Sequence, residues 1–215
     1  MKILAVRSAE RTVADPVMKQ TVRTAVAVLR RGGVIAYPTE TTYGLGCDPR
    51  NTKAVTEIFR IKGRENNKPL LLVASSVSQV RQVADLVRAT QWVAPMRYWP
   101  GPLTLVLPAK TGTRLVKALM PHGEVAIRVS SSSFVQALCR SFGFPIVSTT
   151  ANRSGKPDCR SGKAVIKIFR DRKHQPHLII DLGALSRCKP STVARVREDG
   201  TIQILRQGAV RISGA

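Results

Sequence analysis

The sequence predicts an α/β (α+β) fold in which helices flank a twisted, mixed β-sheet. Three observations predict it: apolar residues recur at helical spacing in several stretches, short apolar runs lie between them, and the two kinds of segment alternate along the chain. The 215 residues include 43% hydrophobic residues, which is enough for a real core. Because we find no repeat and no linker-like tract, we expect a single domain over residues 1–215, with its core at about 16–208.

The helical pattern occurs in five stretches, and capping residues mark several of their ends. Asn51 or Thr52 can cap the second helix, while Gly32-Gly33 and Gly143 supply stops after the first and the fourth. The predicted helices cover about 16–31, 52–61, 77–88, 132–142 and 161–170.

Strands are predicted where short apolar or alternating runs end at turn-forming residues. The first run, which Pro38 ends, suits a buried strand, and the segment Thr39–Gly46 after it is predicted to be a polar loop. The predicted strands are 34–37, 70–74, 103–107, 124–129, 145–149, 178–182, 192–196 and 202–205.

Positive charge is the outlying property of the composition. Lys and Arg number 35 against 13 Asp and Glu, a formal net charge of +22. The excess favours a polyanionic partner or substrate, either nucleic acid or nucleotide phosphates, over a basic surface that serves solubility alone. Aromatic residues are only 5%, which disfavours a base-stacking platform. No apolar stretch approaches the roughly 20 residues of a membrane span, and the start does not resemble a secretory signal, so we expect a cytoplasmic protein.

The sequence offers no motif for a metal site or for a nucleophilic triad. The four cysteines form no CxxC pair, the three histidines form no HExxH arrangement, and we expect reduced thiols and no protein-bound metal. Neither a Ser-His-Asp set nor paired carboxylates stand at motif spacing. A reaction that depends on positioning and charge neutralisation fits better, as in phosphoryl or nucleotidyl transfer.

Four polar clusters follow predicted strands or helices, where open α/β sheets hold ligands. Thr39–Gly46 combines hydroxyls with glycines and could equally be an ordinary turn. Ser148–Gly155 combines hydroxyls with an amide, and its density after a buried strand favours a ligand site over a hydroxyl-rich turn. Lys62-Gly63-Arg64, with Lys68 further on, could clamp phosphates or could simply favour a helix C-terminus. Arg128, at the end of a strand, could bind a carboxylate or lie on an edge.

Taken together, these clusters resemble the YrdC family, the threonylcarbamoyl-AMP synthases. The resemblance extends from about Ala25 to about Gly208 and lies in seven segments that follow the family's order. The chain stops soon after the last segment, as in the short bacterial form of the family. The segments are YPTETTYGLG (Tyr37–Gly46), KGR (Lys62–Arg64), WPGPLT (Trp99–Thr104), VAIRV (Val125–Val129), STTANRSG (Ser148–Gly155), PSTV (Pro190–Val193) and ILRQG (Ile204–Gly208).

The resemblance implies a twisted α/β sheet with a basic concave cleft and a two-stage reaction. Threonine and bicarbonate give N-carboxythreonine, whose carboxylate attacks the α-phosphate of ATP and releases pyrophosphate. Mg²⁺ accompanies the ATP without a dedicated protein cage. The product, L-threonylcarbamoyladenylate, passes to a separate tRNA threonylcarbamoyl transferase complex, and tRNA or double-stranded RNA is a further partner.

The resemblance also implies site residues. Lys62 and Arg64 match the family's Lys-x-Arg signature and are the expected catalytic residues. Thr150 and Asn152 match its Ser-x-Asn signature. The expected ATP-binding residues are Lys62, Arg64, Lys68, Thr150, Asn152 and Arg206, and the expected threonine-binding residues are Thr41, Arg128, Ser148 and Ser191.

The chain departs from the family pattern at three places. Thr150 stands where the signature has Ser, Leu71–Ala74 occupies a strand in which many members carry a His, and Asp158 replaces a frequent Ser. Because non-synthase relatives lose the Lys-x-Arg set and the Asn, which this chain keeps, we expect an active enzyme. The alternative is a double-stranded RNA or tRNA-binding protein without synthase activity.

Overall fold

The computed structural model describes residues 1–6, 14–63, 70–86, 96–197 and 201–212, except for the side chain of Val196. In these ranges the strands are β1 (Lys2–Ala5), β2 (Ile35–Pro38), β3 (Tyr43–Gly46), β4 (Leu71–Ala74), β5 (Leu103–Pro108), β6 (Glu124–Val129), β7 (Ile146–Thr150), β8 (Leu178–Asp181), β9 (Thr192–Val196) and β10 (Ile202–Arg206). The α-helices in the same ranges are α1 (Pro16–Arg30), α2 (Thr52–Lys62), α3 (Val77–Val80), α4 (Ser133–Phe142) and α5 (Gly162–Phe169).

The strands form one continuous sheet in the order β1-β8-β2-β3-β7-β4-β6-β5-β9-β10. The pairs β1–β8, β8–β2, β4–β6 and β5–β9 are parallel, and the other neighbours are antiparallel. The sheet is therefore mixed, as a chain that combines hairpins with helical crossovers requires. The structure confirms the predicted class, a twisted mixed sheet with flanking helices.

Apolar helix faces cover the sheet on both sides. On one side α1 packs on β2 and β8 and α4 packs on α1 and β4, and Leu29 and Leu138 are fully buried there. On the other side α2 and α5 contribute Ile58 and Phe169 to a larger core. Asn51 caps α2, since its side chain accepts a hydrogen bond from the Ala54 N–H at 3.0 Å. That capped helix delivers its last residue, Lys62, toward the end of β7.

The predicted helix over 77–88 was wrong in its length. The helix α3 ends at Val80, and the chain then joins the end of β5. Ala84 forms an antiparallel bridge with Ala109, and the Val83 carbonyl accepts a hydrogen bond from the Lys110 N–H at 2.9 Å. These sheet-like bonds replace the helical ones that the apolar spacing predicted, and residues 87 and 88 lie outside the described ranges.

Two strands of the structure, β1 and β3, were not predicted from the sequence. β1 carries a charged residue and lies at the edge of the sheet, beside β8. β3 contains two glycines and was therefore predicted as loop, yet it is buried between β2 and β7. Gly46 is needed there because a Cβ atom would lie 2.7 Å from Cε1 of Tyr37 and 2.8 Å from the Val147 carbonyl oxygen.

The α1–α4 layer covers only part of its side of the sheet. Ile146 packs against this layer, and Ser148, two residues along β7, lies on the same side beyond its edge. Farther on, Leu105 and Ile127 point into the opposite core, so their neighbours Val106 and Arg128 point to the uncovered side. The uncovered surface of β5, β6, β9 and β10 is the floor of a cleft.

The close approach at Gly46 generates a stability prediction. Gly46→Ala should lower the free energy of unfolding by about 2 kcal/mol, because the new methyl group meets a buried ring and a backbone carbonyl. Gly44→Ala is the matched control, since its Cβ would meet its nearest atom, Ser148 Oγ, at 3.3 Å, and we expect a loss below about 1 kcal/mol. Denaturant unfolding measures both. Equal stability of the two variants would contradict the packing described here.

Candidate active site

A cleft of about 630 Å³ opens on the uncovered floor of the sheet. Its volume falls within the roughly 300–1,000 Å³ of typical small-molecule sites. The segment between β2 and β3, the end of β7 and the segment before β9 form its walls. Hydroxyl groups and charged groups are prominent in its lining: Thr39, Thr41, Thr42, Thr104, Ser148, Thr149, Thr150, Ser191, Arg128, Arg195, Arg206, Glu124, Asp158 and His122.

The segment between β2 and β3 is fixed by hydrogen bonds of its own. The Thr39 hydroxyl accepts from the N–H groups of Thr41 and Thr42 at 3.1 and 3.2 Å and donates to the Thr42 carbonyl at 2.8 Å. The Cys188 thiol donates to the carbonyls of Glu40 and Thr41 at 3.4 and 3.3 Å. Thr41 therefore lines the cleft on a rigid backbone.

Ser148 presents its hydroxyl to the cleft, and the oxygen of that hydroxyl already accepts one hydrogen bond from the protein. The buried phenol of Tyr37 donates to Ser148 Oγ at 2.9 Å. Burial raises the pKa of Tyr37, so the phenol stays protonated and remains the donor at neutral pH. The proton of Ser148 is then available to a ligand.

Lys62, at the end of α2, joins that helix to the end of β7. Its ammonium donates to the carbonyls of Thr150 and Asn152 at 2.6 and 3.0 Å, and to Asn152 Oδ1 at 2.8 Å. The Thr150 hydroxyl lies 3.4 Å from the same nitrogen. The side chain is 3% exposed, so the structure places this charge directly behind the loop rather than in the open cleft.

Asn152 is the centre of the same network. Its Oδ1 also accepts from the Thr150 hydroxyl at 2.6 Å, and its Nδ2 donates to the Lys156 carbonyl and, at 3.1 Å, to Asp158 Oδ1. The amide thus connects both ends of the loop that follows β7 to the Lys62 ammonium. This loop is preorganised, with the Thr150 side chain on the cleft side.

Arg128 lies on the cleft floor and is 4% exposed. Its Nη1 lies 3.4 Å from Glu40 Oε1, which is the distance of an ion pair rather than of a strong hydrogen bond. Glu40 Oε2 accepts a hydrogen bond of 2.6 Å from the Ser130 hydroxyl. Arg128 therefore has a counter-charge behind it and faces the cleft.

Arg206 approaches the cleft from β10. Its guanidinium donates to the Ser191 carbonyl at 2.8 Å and to Ser191 Oγ at 3.1 Å. Ser191 Oγ also lies 3.1 Å from the Thr104 hydroxyl. Partial burial and the charge of Arg128 lower the pKa of Arg206, and Asp158 opposes this shift. A guanidinium pKa that falls from so high a value leaves the group charged at neutral pH, so the charges of Arg128 and Arg206 act on the same cleft.

The strand register aligns the two arginines. Leu105 pairs with Ile127, so Thr104, the residue before Leu105 on β5, lies opposite Arg128 on β6. Thr104 pairs in turn with Val193, and Val193 with Arg206. Arg128 and Arg206 therefore end one row that crosses four strands. A ligand that lies along this row meets a cation at each end and the Thr104 hydroxyl between them.

The structure brings most of the expected site residues together. Two of them, Lys62 and Asn152, lie behind the wall of the cleft, joined to it through Thr150, and two others, Arg64 and Lys68, lie outside the described residues. No role was predicted for Glu40 or Thr104 from the sequence, although both residues lie in segments that resemble the family, YPTETTYGLG and WPGPLT. The expected residues that line the cleft directly are Thr41, Arg128, Ser148, Thr150, Ser191 and Arg206.

The described ranges contain neither a cluster of metal ligands nor a membrane-spanning helix. No group of three or more His, Cys, Asp or Glu side chains in them could hold a metal ion. No helix in them is long and apolar enough to cross a bilayer.

The fold and the cleft define an α/β protein with a cationic, hydroxyl-lined ligand site. The chain belongs to the Sua5/YciO/YrdC family, whose model, described as telomere recombination, matches residues 27–208. It is 39% identical to the threonylcarbamoyl-AMP synthase of Chromobacterium violaceum over 165 residues, which are 72% of this chain and 84% of that protein. It is 38% identical to the enzyme of the same name from Vibrio cholerae over 192 residues, 88% of this chain and 98% of that one.

Solved structures agree with this assignment. P. abyssi Sua5 complexed with L-threonine has a TM-score of 0.82 and 31% identity; the match covers 97% of this chain but only 58% of the Sua5 chain. E. coli YciO has a TM-score of 0.79 and 25% identity, and the match covers 100% of this chain and 99% of YciO. This chain thus spans little more than half the length of Sua5.

The Lys62 network generates a second stability prediction. Lys62→Met keeps the length of the side chain but removes the buried ammonium that donates to three oxygen acceptors at the end of β7. We expect a loss of about 3 kcal/mol in the free energy of unfolding, as for one partner removed from a buried charged network. Lys53→Met, on the exposed side of the same helix, should change it by less than about 0.5 kcal/mol. If both variants were as stable as the parent in urea, the hydrogen bonds of Lys62 would not stabilise the end of β7.

Proposed function

We infer that this chain is a threonylcarbamoyl-AMP synthase, an enzyme that makes an adenylate from L-threonine and ATP. Membership of the family, the names of relatives that match most of the chain, and the threonine complex of Sua5 support this function. The observation that carries it is the row that ends in Arg128 and Arg206, with the Thr104 hydroxyl between them. Such a row can hold an amino-acid carboxylate at one end and a phosphate at the other.

Threonine is assigned to the end of the cleft beside Arg128. The guanidinium would pair with the substrate carboxylate, and the hydroxyls of Thr41, Ser148 and Ser191 would bind the remaining polar groups of the substrate. Leu71, which pairs with Ser148 and also lines the cleft, offers an apolar surface for the threonine methyl group. This surface stands in the strand where many family members carry a histidine.

ATP is assigned to Arg206 and to the loop after β7. Arg206 and the Thr150 hydroxyl reach the cleft directly, while Lys62 and Asn152 hold the loop and place a positive charge behind it. Arg64 and Lys68 are proposed as further phosphate contacts from the sequence match. Mg²⁺ would arrive with ATP as part of the substrate, since magnesium keeps several waters and uses phosphate oxygens with one or two carboxylates. Asp158 supplies a carboxylate on the cleft lining.

The proposed reaction has two steps. The threonine nitrogen attacks the carbon of bicarbonate, and loss of water gives N-carboxythreonine. A carboxylate oxygen of that group then attacks the α-phosphorus of ATP, the bond to the β-phosphate breaks, and pyrophosphate leaves. The arginines neutralise both anions as they approach, and Arg206 stabilises the charge that develops on the α-phosphate.

We also propose where the enzyme acts and which molecules it meets there. The 215 residues form one domain that acts in the cytoplasm. The unstable anhydride product passes to a separate transferase complex that modifies tRNA. The net charge of +22 suits an encounter with RNA phosphates at that stage.

The activity assay tests the function directly. Purified protein given L-threonine, bicarbonate and Mg·ATP should release pyrophosphate, and omission of either threonine or bicarbonate should abolish the release. The same protein should yield an adenylate that contains threonine, detected by mass spectrometry. Tight binding of double-stranded RNA without any threonine-dependent pyrophosphate would instead favour the RNA-binding alternative.

Arg206→Gln should raise KM for ATP by about tenfold or more, because one charge that faces the phosphates is lost. KM for threonine should change less, although Arg206 also contacts Ser191. Arg211→Gln, an exposed change five residues further on that does not line the cleft, is the matched control and should leave both constants unchanged. Steady-state rates of pyrophosphate release give both KM values for the parent and for the two variants. An unaltered KM for ATP in Arg206→Gln would remove Arg206 from the nucleotide site.

A further inference from the structure

Glu40 lies behind Arg128 and is held at both of its ends. Its backbone carbonyl accepts from the Cys188 thiol, and its Oε2 accepts from the Ser130 hydroxyl at 2.6 Å. Ser130 is fully buried, and its N–H donates to the Ala74 carbonyl at 3.1 Å. The backbone of Glu40 is therefore fixed by Cys188, and its carboxylate is fixed by Ser130.

The ion pair between Glu40 and Arg128 is a single long contact rather than a bidentate hydrogen-bonded pair. Oε1 lies 3.4 Å from Nη1, and within the described ranges neither Glu40 Oε1 nor Arg128 Nε has a hydrogen-bond partner, although both atoms are buried. Buried polar atoms are nearly always bonded, and an Arg-carboxylate pair is often bidentate. Here a buried acceptor and a buried donor are left unbonded in the same pair.

A long, non-bidentate ion pair suits a guanidinium that must keep its position and still bind an anion. A bidentate contact would fix Arg128 but would also neutralise it against Glu40. Without any carboxylate, a guanidinium that is 4% exposed and shares its row with Arg206 would be costly to keep in place. A counter-charge at 3.4 Å offsets part of that cost and leaves the cleft side of the guanidinium to a ligand.

We propose that Glu40 is a positioning residue that holds Arg128 where it can receive the carboxylate of the amino-acid substrate. The inference rests on the proposed function, because it takes that carboxylate to be the ligand of Arg128. Glu40 does not line the cleft, so it acts through Arg128 and does not touch the substrate. Ser130 shares this role, because its hydroxyl fixes the orientation of the Glu40 carboxylate.

The test is Glu40→Gln, which keeps the size and an oxygen for Ser130 but removes the charge. We expect KM for L-threonine to rise about tenfold, while KM for ATP changes less than about twofold. Ser130→Ala, which keeps the charge but frees its orientation, should raise the same constant by a smaller factor. Glu57→Gln is the matched control: its carboxylate pairs with His174 at the surface, and both constants should stay as in the parent.

A second readout separates positioning from a general loss of structure. The parent should bind L-threonine better than L-threoninamide, which lacks the carboxylate charge, and Glu40→Gln should reduce that preference about tenfold in calorimetric titrations. If Glu40→Gln does not fold, Ser130→Ala and Glu40→Asp must show the reduced preference. An unchanged preference, or equal losses for threonine, threoninamide and ATP, would overturn the inference. A parent protein that binds threonine but releases no pyrophosphate would instead contradict the proposed function.

Discussion

Incomplete coverage of one side of the sheet is the constraint on which the site depends. The α1–α4 layer ends beside β7, so none of the helices in the described ranges lies above the side chains that alternate outward on β5, β6, β9 and β10. On the opposite side the same strands are packed by a continuous apolar core, which keeps the floor rigid. The cleft is therefore part of the architecture, and its arginines stand on strands rather than on long loops.

Rigid placement matters because the proposed chemistry needs no nucleophile of the protein. Two anionic substrates must be held side by side against their mutual repulsion, and the groups that do this must not reorganise as the reaction proceeds. The cleft meets this need with cations and hydroxyls that are already bonded to the protein: Ser191 to Arg206, Ser148 to Tyr37, and Thr150 to Asn152. Lys62 stabilises Thr150 and Asn152, because its ammonium donates hydrogen bonds to both residues.

Much of this fold could be predicted from the sequence because its periodicities are clean. Asn51, Ser132 and Ser161 cap helices close to where the pattern placed the helix starts. The pattern failed where tertiary contacts prevailed over local preference. Residues 83–85 pair with the end of β5 although their spacing is helical, and Gly46 stands in a strand where neighbouring atoms leave no room for a side chain.

The candidate site could be predicted only in part, for a related reason. Motif matches identified Arg128, Ser148, Thr150, Ser191 and Arg206, and the structure brings them into one cleft. Nothing in the sequence could show that the Lys62 ammonium turns toward the loop after β7, or that Glu40 stands behind Arg128. Those contacts join residues about ninety positions apart and depend on sheet register, which local patterns do not specify.

A crystal structure of this chain with L-threonine and a non-hydrolysable ATP analogue would show directly where both substrates bind. We expect the threonine carboxylate within hydrogen-bond distance of the Arg128 guanidinium and the nucleotide phosphates between Arg206 and the loop after β7, with the amino group facing the α-phosphate. A nucleotide bound outside the cleft, or a threonine whose carboxylate lies away from Arg128, would contradict this arrangement.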